Sequence, residues 1–590
     1  MTALFFTGYA NLFYAPALLC LVAGGIMGTI SALRRPDTRI PTGMAVILLF
    51  VFWFYMTVSL TWTSIPFTSL VTWLVITSFP LTILVLLTGG EPERRIRLAG
   101  AGLLFFLAAL GGWAVFDYLT TGARASGPLP NPNTLAGLIN LGLIPALAVS
   151  MDKNSPKRDA FYTAFGAFLC FAGLLATESR GGLIAALIAV LVLLFVLRHA
   201  LDRKRTAILL VCGIFLLTFF SWTAHRDESF ADFFAPQTEA NVAARLSLWH
   251  AAGEMIADHP LIGTGLGTFF RYYPAYRAPD RDNSAGYWVH NDPLQFAAEA
   301  GLAAPFLFYT FLVAVLWRTI RALRALPPDS PLRGEIIAPF CALLAIAIHT
   351  HATFHLYILS ILIACAVWFA VWYRATARAL PEGVSFKELP ARRVTPILFA
   401  GFLCLFAVMT ITSAAGTYFT LQAKQAIQSG RTADFLAALA HARRYGPATL
   451  PDPEVMEAGF YIDLLQNPDF FTSEERQAMT DRAGLLLADA ETHNPAWAEI
   501  DHKQARLALI LGRPDDALSA WETALGKDPL HAKSRLGLAA LLMRQGAPAK
   551  AYDLLEQGLH YPRSQALDKE IRTLMTQIEP LARLQKIHQP

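Results

Sequence analysis

Residues 183–199 read LIAALIAVLVLLFVLRH, and this stretch decides the fold. Its first fifteen residues are apolar, and Arg198 is its first charged residue. This length approaches the roughly 20 apolar residues with which a helix crosses a membrane. Twelve runs of this kind recur along the chain, this one included. The sequence therefore predicts an all-α, polytopic membrane helix bundle of about twelve transmembrane helices, at about 10–31, 42–62, 68–88, 97–120, 134–150, 159–177, 183–199, 206–224, 302–320, 336–353, 355–376 and 395–418.

Composition divides the 590 residues into two parts. Charged residues make up 24% of residues 421–590 but only 12% of residues 1–420. This shift predicts a transmembrane domain over 1–420 followed by a soluble domain over 421–590. Net charges of about +7 for residues 1–420 and −3 for residues 421–590 do not indicate a nucleic-acid partner.

Cysteine usage excludes two kinds of site. All six cysteines lie in apolar runs, the segment 421–590 has none, and no CxxC pair occurs. A disulfide framework or a thiolate metal site is therefore not expected. We expect no cofactor.

The basic residues of the loops predict the topology. Arginines and lysines concentrate in alternate loops, such as those at 34–39, 94–97, 153–158 and 198–205. By the positive-inside rule these loops are cytoplasmic, which places the loop 225–301 and the start of the C-terminal segment outside. The N-terminus is then also outside.

The C-terminal segment contains a repeat of 34 residues. Gly512, Ala517 and Ala524 recur as Gly546, Ala551 and Gly558, and Gly430 begins a further partial copy. Small residues at this period resemble tetratricopeptide (TPR) repeats over about 425–447 and 496–565, in which helical hairpins stack on one another. The repeats could bind a protein partner, or form a helical cap without one.

An isolated arginine stands at a predicted helix junction in TESRGG, residues 177–182. Arg180 is the only lysine or arginine between Arg158 and Arg198, and paired glycines beside it let backbone approach closely. Such an arginine could hold a phosphate through two hydrogen bonds. It could equally extend toward the membrane surface or pair with Glu178.

Two further segments of the predicted outer loop carry polar side chains. Arg245 and Trp249 share one face of an amphipathic helix at about 241–257, which precedes the glycine-rich string at 260–267. His290 can take a proton from a hydroxyl, and Asn291 or Asp292 could orient a substrate or cap a helix. A solvated loop histidine and a tight glycine turn remain the plain alternatives.

Three histidines, His349, His351 and His355, lie close together in the sequence. His351 and His355 are one helical turn apart, as two metal ligands often are, but no carboxylate or cysteine stands nearby in the sequence. We favour histidines that face water or substrate.

The order of these segments strongly resembles the O-antigen ligase and polymerase superfamily. The resemblance spans about residues 40–375 and rests on R-x-x-x-W, P-L-x-G-x-G-x-G, H-N-x-x-L-Q, E-x-G, S-R-G and N-P-N, which begin here at Arg245, Pro260, His290, Glu299, Ser179 and Asn131. It implies a GT-C-type, metal-independent and inverting glycosyltransferase of the bacterial inner membrane. Such an enzyme moves a glycan from undecaprenyl diphosphate to an acceptor hydroxyl at the periplasmic face.

The resemblance also implies roles for individual residues. His290 is the expected catalytic base, and Arg180 and Arg245 are the expected cations that bind the donor diphosphate. Substrate contacts are also expected, with less support, from Asn133, Trp249, Asn291 and Glu299. The catalytic loop and the repeats are both expected in the periplasm.

The acceptor stays open at this level. Lipid A core, a growing glycan and a protein are all compatible with the same donor chemistry, so a ligase, a repeat-unit polymerase and a protein O-glycosylating enzyme remain alternatives. A lipid-linked glycan transporter is an alternative of another class, although it would place charges near the membrane midplane. A scaffold whose repeats alone matter is a third.

Overall fold

Long apolar helices form most of the chain in a computed structural model, which describes residues 10–34, 39–88, 92–129, 131–224, 237–277, 286–381, 385–388, 394–560 and 565–588. The long helices of the apolar region are α1 Ala10–Arg34, α2 Met44–Val58, α3 Pro66–Leu87, α4 Pro92–Thr121, α5 Pro132–Met151, α6 Lys157–Ala176, α7 Arg180–Leu197 and α8 Arg203–Ala224. After the outer loop follow α12 Ala303–Arg324, α13 Leu332–His349, α14 Leu359–Ala379 and α15 Val394–Gln428.

Eleven helices of the described residues are long and apolar enough to cross a membrane. They match eleven of the twelve predicted runs and confirm a multi-pass, all-helical architecture. The twelfth run, at about 206–224, is helical as α8 but is not among the eleven. The predicted runs 336–353 and 355–376 are α13 and α14, and residues 350–358 between them are not helical.

The connecting segments gather at two ends of the bundle. At one end, which we term the inner end, strand β1 Arg39–Pro41 pairs antiparallel with β2 Phe386–Glu388, and Asp152 bridges to Leu201. These are the basic loops predicted to share one side. At the opposite end, the outer end, lie segments 122–129, 177–179 and 350–358 together with the described residues of the loop after α8.

The predicted outer loop is partly helical. It holds α9 Gln237–Asp258, the short α10 Phe269–Tyr272 and α11 Asp292–Ala300, while residues 225–236 and 278–285 of the predicted loop lie outside the described residues. Apolar residues of α9 and α11, among them Met255 and Ala298, bury each other in a small core. The loop is therefore a packed element that can hold side chains in fixed positions.

The C-terminal region is a stack of helices: α16 Thr432–Tyr445, α17 Asp452–Leu465, α18 Ser473–His493, α19 Ala498–Ile510, α20 Pro514–Lys527, α21 Ala532–Arg544, α22 Pro548–Leu559 and α23 Gln565–His588. Gly430, Gly512 and Gly546 all have positive φ, at 70°, 70° and 73°, in the turn that joins two helices. The glycine at each repeat start is thus explained, because this backbone conformation is costly for other residues.

The boundary predicted at 420/421 falls within one helix. Helix α15 is 35 residues long and continues from the apolar region into the repeats without a break. The repeats also contact the outer loop, where the guanidinium carbon of Arg271 lies 4.8 Å from the centre of a Trp497 ring. The repeats and the outer loop therefore share one end of the bundle.

Candidate functional site

A glycine-rich loop closes one side of the outer end. The backbone nitrogens of Thr264 and Gly265 donate to the carbonyls of Ala298 and Glu299 at 3.0 and 2.8 Å, so the loop runs along the end of α11. Gly265 and Gly267 have φ of 117° and 74°, and a Cβ at either would collide with a threonine of the neighbouring segment 63–72. The alternating glycines thus serve close packing at the outer end.

The Glu299 carboxylate holds this loop in place. Glu299 is fully buried and accepts hydrogen bonds from the backbone nitrogens of Gly267 (2.7 Å) and Phe269 (3.2 Å). The Gln295 amide and the Tyr357 hydroxyl donate to it at 2.9 and 2.7 Å. These four bonds engage both carboxylate oxygens, so the structure places Glu299 as a support of the loop rather than at an open surface.

His290 occupies an unusual backbone conformation. Its φ is 58°, a left-handed value that side chains with a Cβ rarely adopt. The next residue, Asn291, accepts a hydrogen bond from the Leu294 nitrogen at 3.1 Å and caps α11, as one of the sequence alternatives proposed. The His290 ring packs edge-on against Phe354, with 5.0 Å between ring centroids. Its Nδ1 is buried without a hydrogen-bond partner among the described residues.

A buried carboxylate next to His290 ties the outer loop to segment 350–358. Asp292 accepts hydrogen bonds from the backbone nitrogens of His355 and Leu356, each at 2.9 Å, and from the Thr350 hydroxyl. The His355 Nε2 in turn shares a 2.9 Å hydrogen bond with His349 Nδ1. The histidine whose ring pairs with that of His355 is therefore His349, and Asp292 binds His355 through its backbone nitrogen rather than its ring.

Arg245 lies on α9 near both histidines. Its positive charge is close enough to affect His290 and His349. Four residues further along α9, the Trp249 indole nitrogen donates to the Val289 carbonyl at 3.1 Å, which anchors α9 against the residue before His290. Of the predicted pair, Trp249 therefore fixes the helix, and Arg245 places a positive charge within electrostatic range of the two histidines.

The S-R-G turn faces the same region from the other side. Ser179 caps α7, and its hydroxyl donates to the Asn133 side-chain oxygen at 2.8 Å. Glu178 has φ of 50°, and among the described residues only Glu178 and His290 are non-glycine residues with positive φ. Such strained positions concentrate at functional sites. The His349 ring packs directly over Gly181, so this turn meets the histidine pair.

Arg124, which the sequence analysis did not single out, lies between α9 and the turn that holds Arg180. Arg124 lies close enough to Arg245 and Arg180 for their charges to interact. Its Nε donates to the Thr177 carbonyl at 3.1 Å, in the same turn as Arg180. The signal was present in the sequence, since Arg124 is the only lysine or arginine between Arg97 and Lys153.

Burial and charge shift the titration of several groups. Burial, with a further contribution from Arg245, lowers the pKa of His290 to about 4. Burial and the nearby Arg124 lower the pKa of Arg245. Burial raises the pKa values of Asp292 and Glu299 to about 7, although their hydrogen bonds oppose this rise. His290 is thus neutral at physiological pH and able to accept a proton.

Two parts of the chain match known families. Residues 165–309 match the O-Antigen ligase family model, and residues 502–564 match a tetratricopeptide repeat model. The first match includes Arg180, Arg245 and His290, but not Arg124 or His349. No curated protein matches the chain.

Two solved structures show weak similarity. The crystal structure of TTC0263, a thermophilic TPR protein in Thermus thermophilus, is 18% identical, with 32% of this chain and 95% of that chain covered at a TM-score of 0.25. The crystal structure of the yeast Tom70 is 13% identical, with 82% of this chain and 99% of that chain covered at a TM-score of 0.26. Scores this low carry no argument about the fold. The eleven apolar helices and the two family matches together describe a multi-pass membrane protein in which residues 165–309 match an O-antigen ligase domain and residues 502–564 match tetratricopeptide repeats.

Proposed function

We propose that this protein is a glycosyltransferase of the O-antigen ligase type, which moves a glycan from undecaprenyl diphosphate to an acceptor hydroxyl. The observation that carries the proposal is the anchoring of α9, which bears Arg245, against the residue before His290 through the 3.1 Å hydrogen bond from the Trp249 indole to the Val289 carbonyl. The charge of Arg245 is close enough to contribute to the lowered pKa of His290. Cations and a neutral base in one place suit a reaction that releases a diphosphate and consumes a hydroxyl.

The proposed step is a single displacement. The acceptor oxygen forms a bond to the anomeric carbon while the bond from that carbon to the diphosphate oxygen breaks. The hydroxyl proton passes to the neutral imidazole of His290, and the electron pair leaves on the diphosphate, whose negative charge Arg180 and Arg245 stabilise. Attack opposite the leaving group inverts the anomeric centre. The arginines supply the positive charge, so the step needs no metal ion.

The proposed location follows from loop charge. The basic inner-end loops are placed in the cytoplasm by the positive-inside rule, and the outer end in the periplasm of a bacterial cell. A transporter is disfavoured, because the charged groups of the site lie in outer connecting segments and helix ends rather than near the midplane. The repeats are proposed to recruit a protein partner beside the site.

Three acceptors remain in the proposal, and one experiment separates them. Purified full-length protein is incubated with an undecaprenyl-diphosphate-linked glycan and with lipid A core, a second lipid-linked glycan or an acceptor protein, in the presence of chelator. We expect transfer to one acceptor only, with release of undecaprenyl diphosphate. Absence of transfer to all three, or loss of transfer with chelator, would contradict the proposal.

A further inference from the structure

The three neighbouring histidines of the outer end differ in how their ring nitrogens are bonded. His351 has both nitrogens bonded within the protein: Nδ1 donates to the Ala347 carbonyl at 2.8 Å, and the Tyr309 hydroxyl donates to Nε2 at 2.8 Å. His349 and His355 bond to each other, Nδ1 to Nε2, at 2.9 Å. We term these two residues the histidine pair. Each ring of the pair has one nitrogen outside this shared bond.

Three other segments hold the histidine pair in place. Both rings lie over glycines: a Cβ on Gly137 of α5 would collide with the His355 ring, and a Cβ on Gly181 of α7 would lie 3.0 Å from His349 Nε2. The Asp292 carboxylate accepts a hydrogen bond from the backbone nitrogen of His355 at 2.9 Å. His349 is only 2% exposed and His355 is fully buried, so both rings have fixed positions.

The shared bond and the burial determine which nitrogens carry protons. Burial, with a smaller contribution from His349, lowers the pKa of His355 well below its usual value, so this ring is neutral and carries one proton. Its Nδ1 is buried without a hydrogen-bond partner among the described residues. Because a buried N–H without an acceptor is rare, the proton of His355 lies on Nε2, which donates to His349 Nδ1. His349 is then also neutral and carries its proton on Nε2.

The Nε2–H group of His349 lies beside the first turn of α7. The described part of the chain offers this nitrogen no hydrogen-bond partner. The backbone N–H groups in the first turn of a helix have no acceptor within the helix, and here the Ser179 hydroxyl accepts only from the Gly182 nitrogen. Such a turn attracts anions. A buried imidazole donor beside it therefore favours an anionic oxygen as acceptor.

We infer that His349 donates a hydrogen bond from Nε2 to a phosphate oxygen of the lipid-linked donor, and that His355 is the positioning residue that keeps His349 in this form. The inference rests on the proposed function, in which a diphosphate is bound at the outer end. It extends the site beyond the segment that matches the ligase family, which ends at residue 309. A neutral donor binds the phosphate without adding to the positive charge already present.

Inorganic pyrophosphate tests this contact without a glycan. Its binding is titrated by calorimetry on purified full-length protein, for wild type, His349→Asn and His349→Gln. An asparagine amide can accept the bond from His355 but has no group at the position of Nε2, whereas a glutamine amide reaches that position. We expect His349→Asn to weaken pyrophosphate binding about tenfold, because a hydrogen bond to a charged oxygen is lost. His349→Gln should recover part of the loss. His351→Gln is the matched control and should bind as wild type does.

A purely structural role of His349 would give a different pattern. Because His349→Asn keeps the bond to His355, the ligand-free variant should melt as wild type does. Pyrophosphate binding equal to that of wild type would overturn the inference, and so would equal weakening in the Asn and Gln variants together with lower melting temperatures.

His355 has a test of its own. His355→Gln keeps an N–H donor to His349, so pyrophosphate binding should stay near that of wild type. His355→Leu removes the donor and lets the His349 proton move to Nδ1, so binding should weaken. Equal binding by these two variants would remove His355 from the inference.

Glycan transfer separates this inference from the proposed function. If wild type transfers glycan and His349→Asn binds pyrophosphate equally well, only the role of His349 is overturned. If wild type transfers no glycan, the proposed function is overturned, and with it the identity of the donor. A higher KM for the lipid-linked donor in His349→Asn without weaker pyrophosphate binding would place the contact on the sugar and overturn the phosphate assignment.

Discussion

The two ends of the bundle use arginine in opposite ways. At the inner end, Arg378 pairs with Glu335 at 2.6 Å, and Arg374 pairs with Glu93. Arg318 is buried and donates to Thr376 at 2.8 Å and to Ser385 at 2.7 Å. Each of these guanidinium groups has protein partners that account for its position, which is the behaviour expected of anchoring residues.

At the outer end, Arg124 and Arg245 lie close enough for their charges to interact, and their own ion pairing is much weaker. Arg245 forms no ion pair with any described residue, and Arg124 reaches only Glu178, at 3.9 Å. The role of an arginine in this membrane protein is therefore indicated by the partners of its guanidinium group, and not by how many arginines lie nearby. Positive charge that the protein does not neutralise is available for a ligand.

The largest effect is expected at His290. We predict that His290→Asn lowers kcat about 10²–10⁴-fold, the usual contribution of a general base. Asparagine tolerates the left-handed φ of 58° better than most residues, so the loop should keep its fold while the base is lost. Glycan transfer and thermal melting are measured on the same preparation. Near wild-type turnover in a folded variant would remove His290 from the mechanism.

A smaller but still large effect is expected from Glu299→Gln. Each carboxylate oxygen of Glu299 accepts two hydrogen bonds, so an amide NH₂ would face two donors in a buried site. We predict a destabilisation of about 3 kcal/mol, by analogy with other unsatisfied buried groups. Faster proteolysis of residues 259–268 should accompany it. Glu335→Gln at the inner end is the control and should melt as wild type does.

The pH profile gives a third test. Because His290 acts only when neutral, activity should fall as pH falls through its pKa of about 4. The profile of kcat/KM, which reports the free enzyme, should therefore show no ionisation of His290 between pH 7 and about 5, although the carboxyls of Asp292 and Glu299 titrate near pH 7. In Arg245→Gln the ionisation of His290 should move to higher pH, because a positive neighbour has been removed. A His290 imidazole that titrates near pH 6.5, the value of an unperturbed histidine, would contradict the site as described.

The smallest effect is expected at the inner end. Arg378 and Glu335 are each half exposed, and such pairs stabilise a protein by about 0.2–1 kcal/mol. We predict that Arg378→Gln leaves glycan transfer unchanged and lowers the free energy of unfolding by less than about 1 kcal/mol. A clear loss of glycan transfer would contradict the assignment of Arg378 to anchoring alone.

Much of the fold could be predicted from the sequence, because its signals are local. Apolar runs locate the membrane helices, and the spacing of Gly512 and Gly546 locates the repeats. Helix α8 is not among the eleven spans. The predicted boundary at 420/421 falls inside α15, because a composition shift does not end a helix.

The site was only partly predictable, because its contacts join distant residues. Arg245 lies close enough to His290 for its charge to contribute to the lowered pKa of the imidazole. Glu299 binds the glycine-rich loop and Asp292 binds His355 across 30 residues or more of sequence. No local sequence pattern predicts these hydrogen bonds. Arg124 was not predicted, because its position at the site depends on a hydrogen bond to the Thr177 carbonyl, 53 residues away in the sequence.

The central claim is that the outer arginines bind the donor diphosphate whereas the inner arginines anchor the bundle. It is tested most directly by comparing Arg245→Lys with Arg378→Lys in the glycan-transfer assay. Lysine keeps the charge but loses the paired hydrogen bonds of a guanidinium. We predict that Arg245→Lys lowers kcat/KM about 10²-fold, as loss of one transition-state donor does, while Arg378→Lys matches wild type. Equal activity of the two variants would contradict the account.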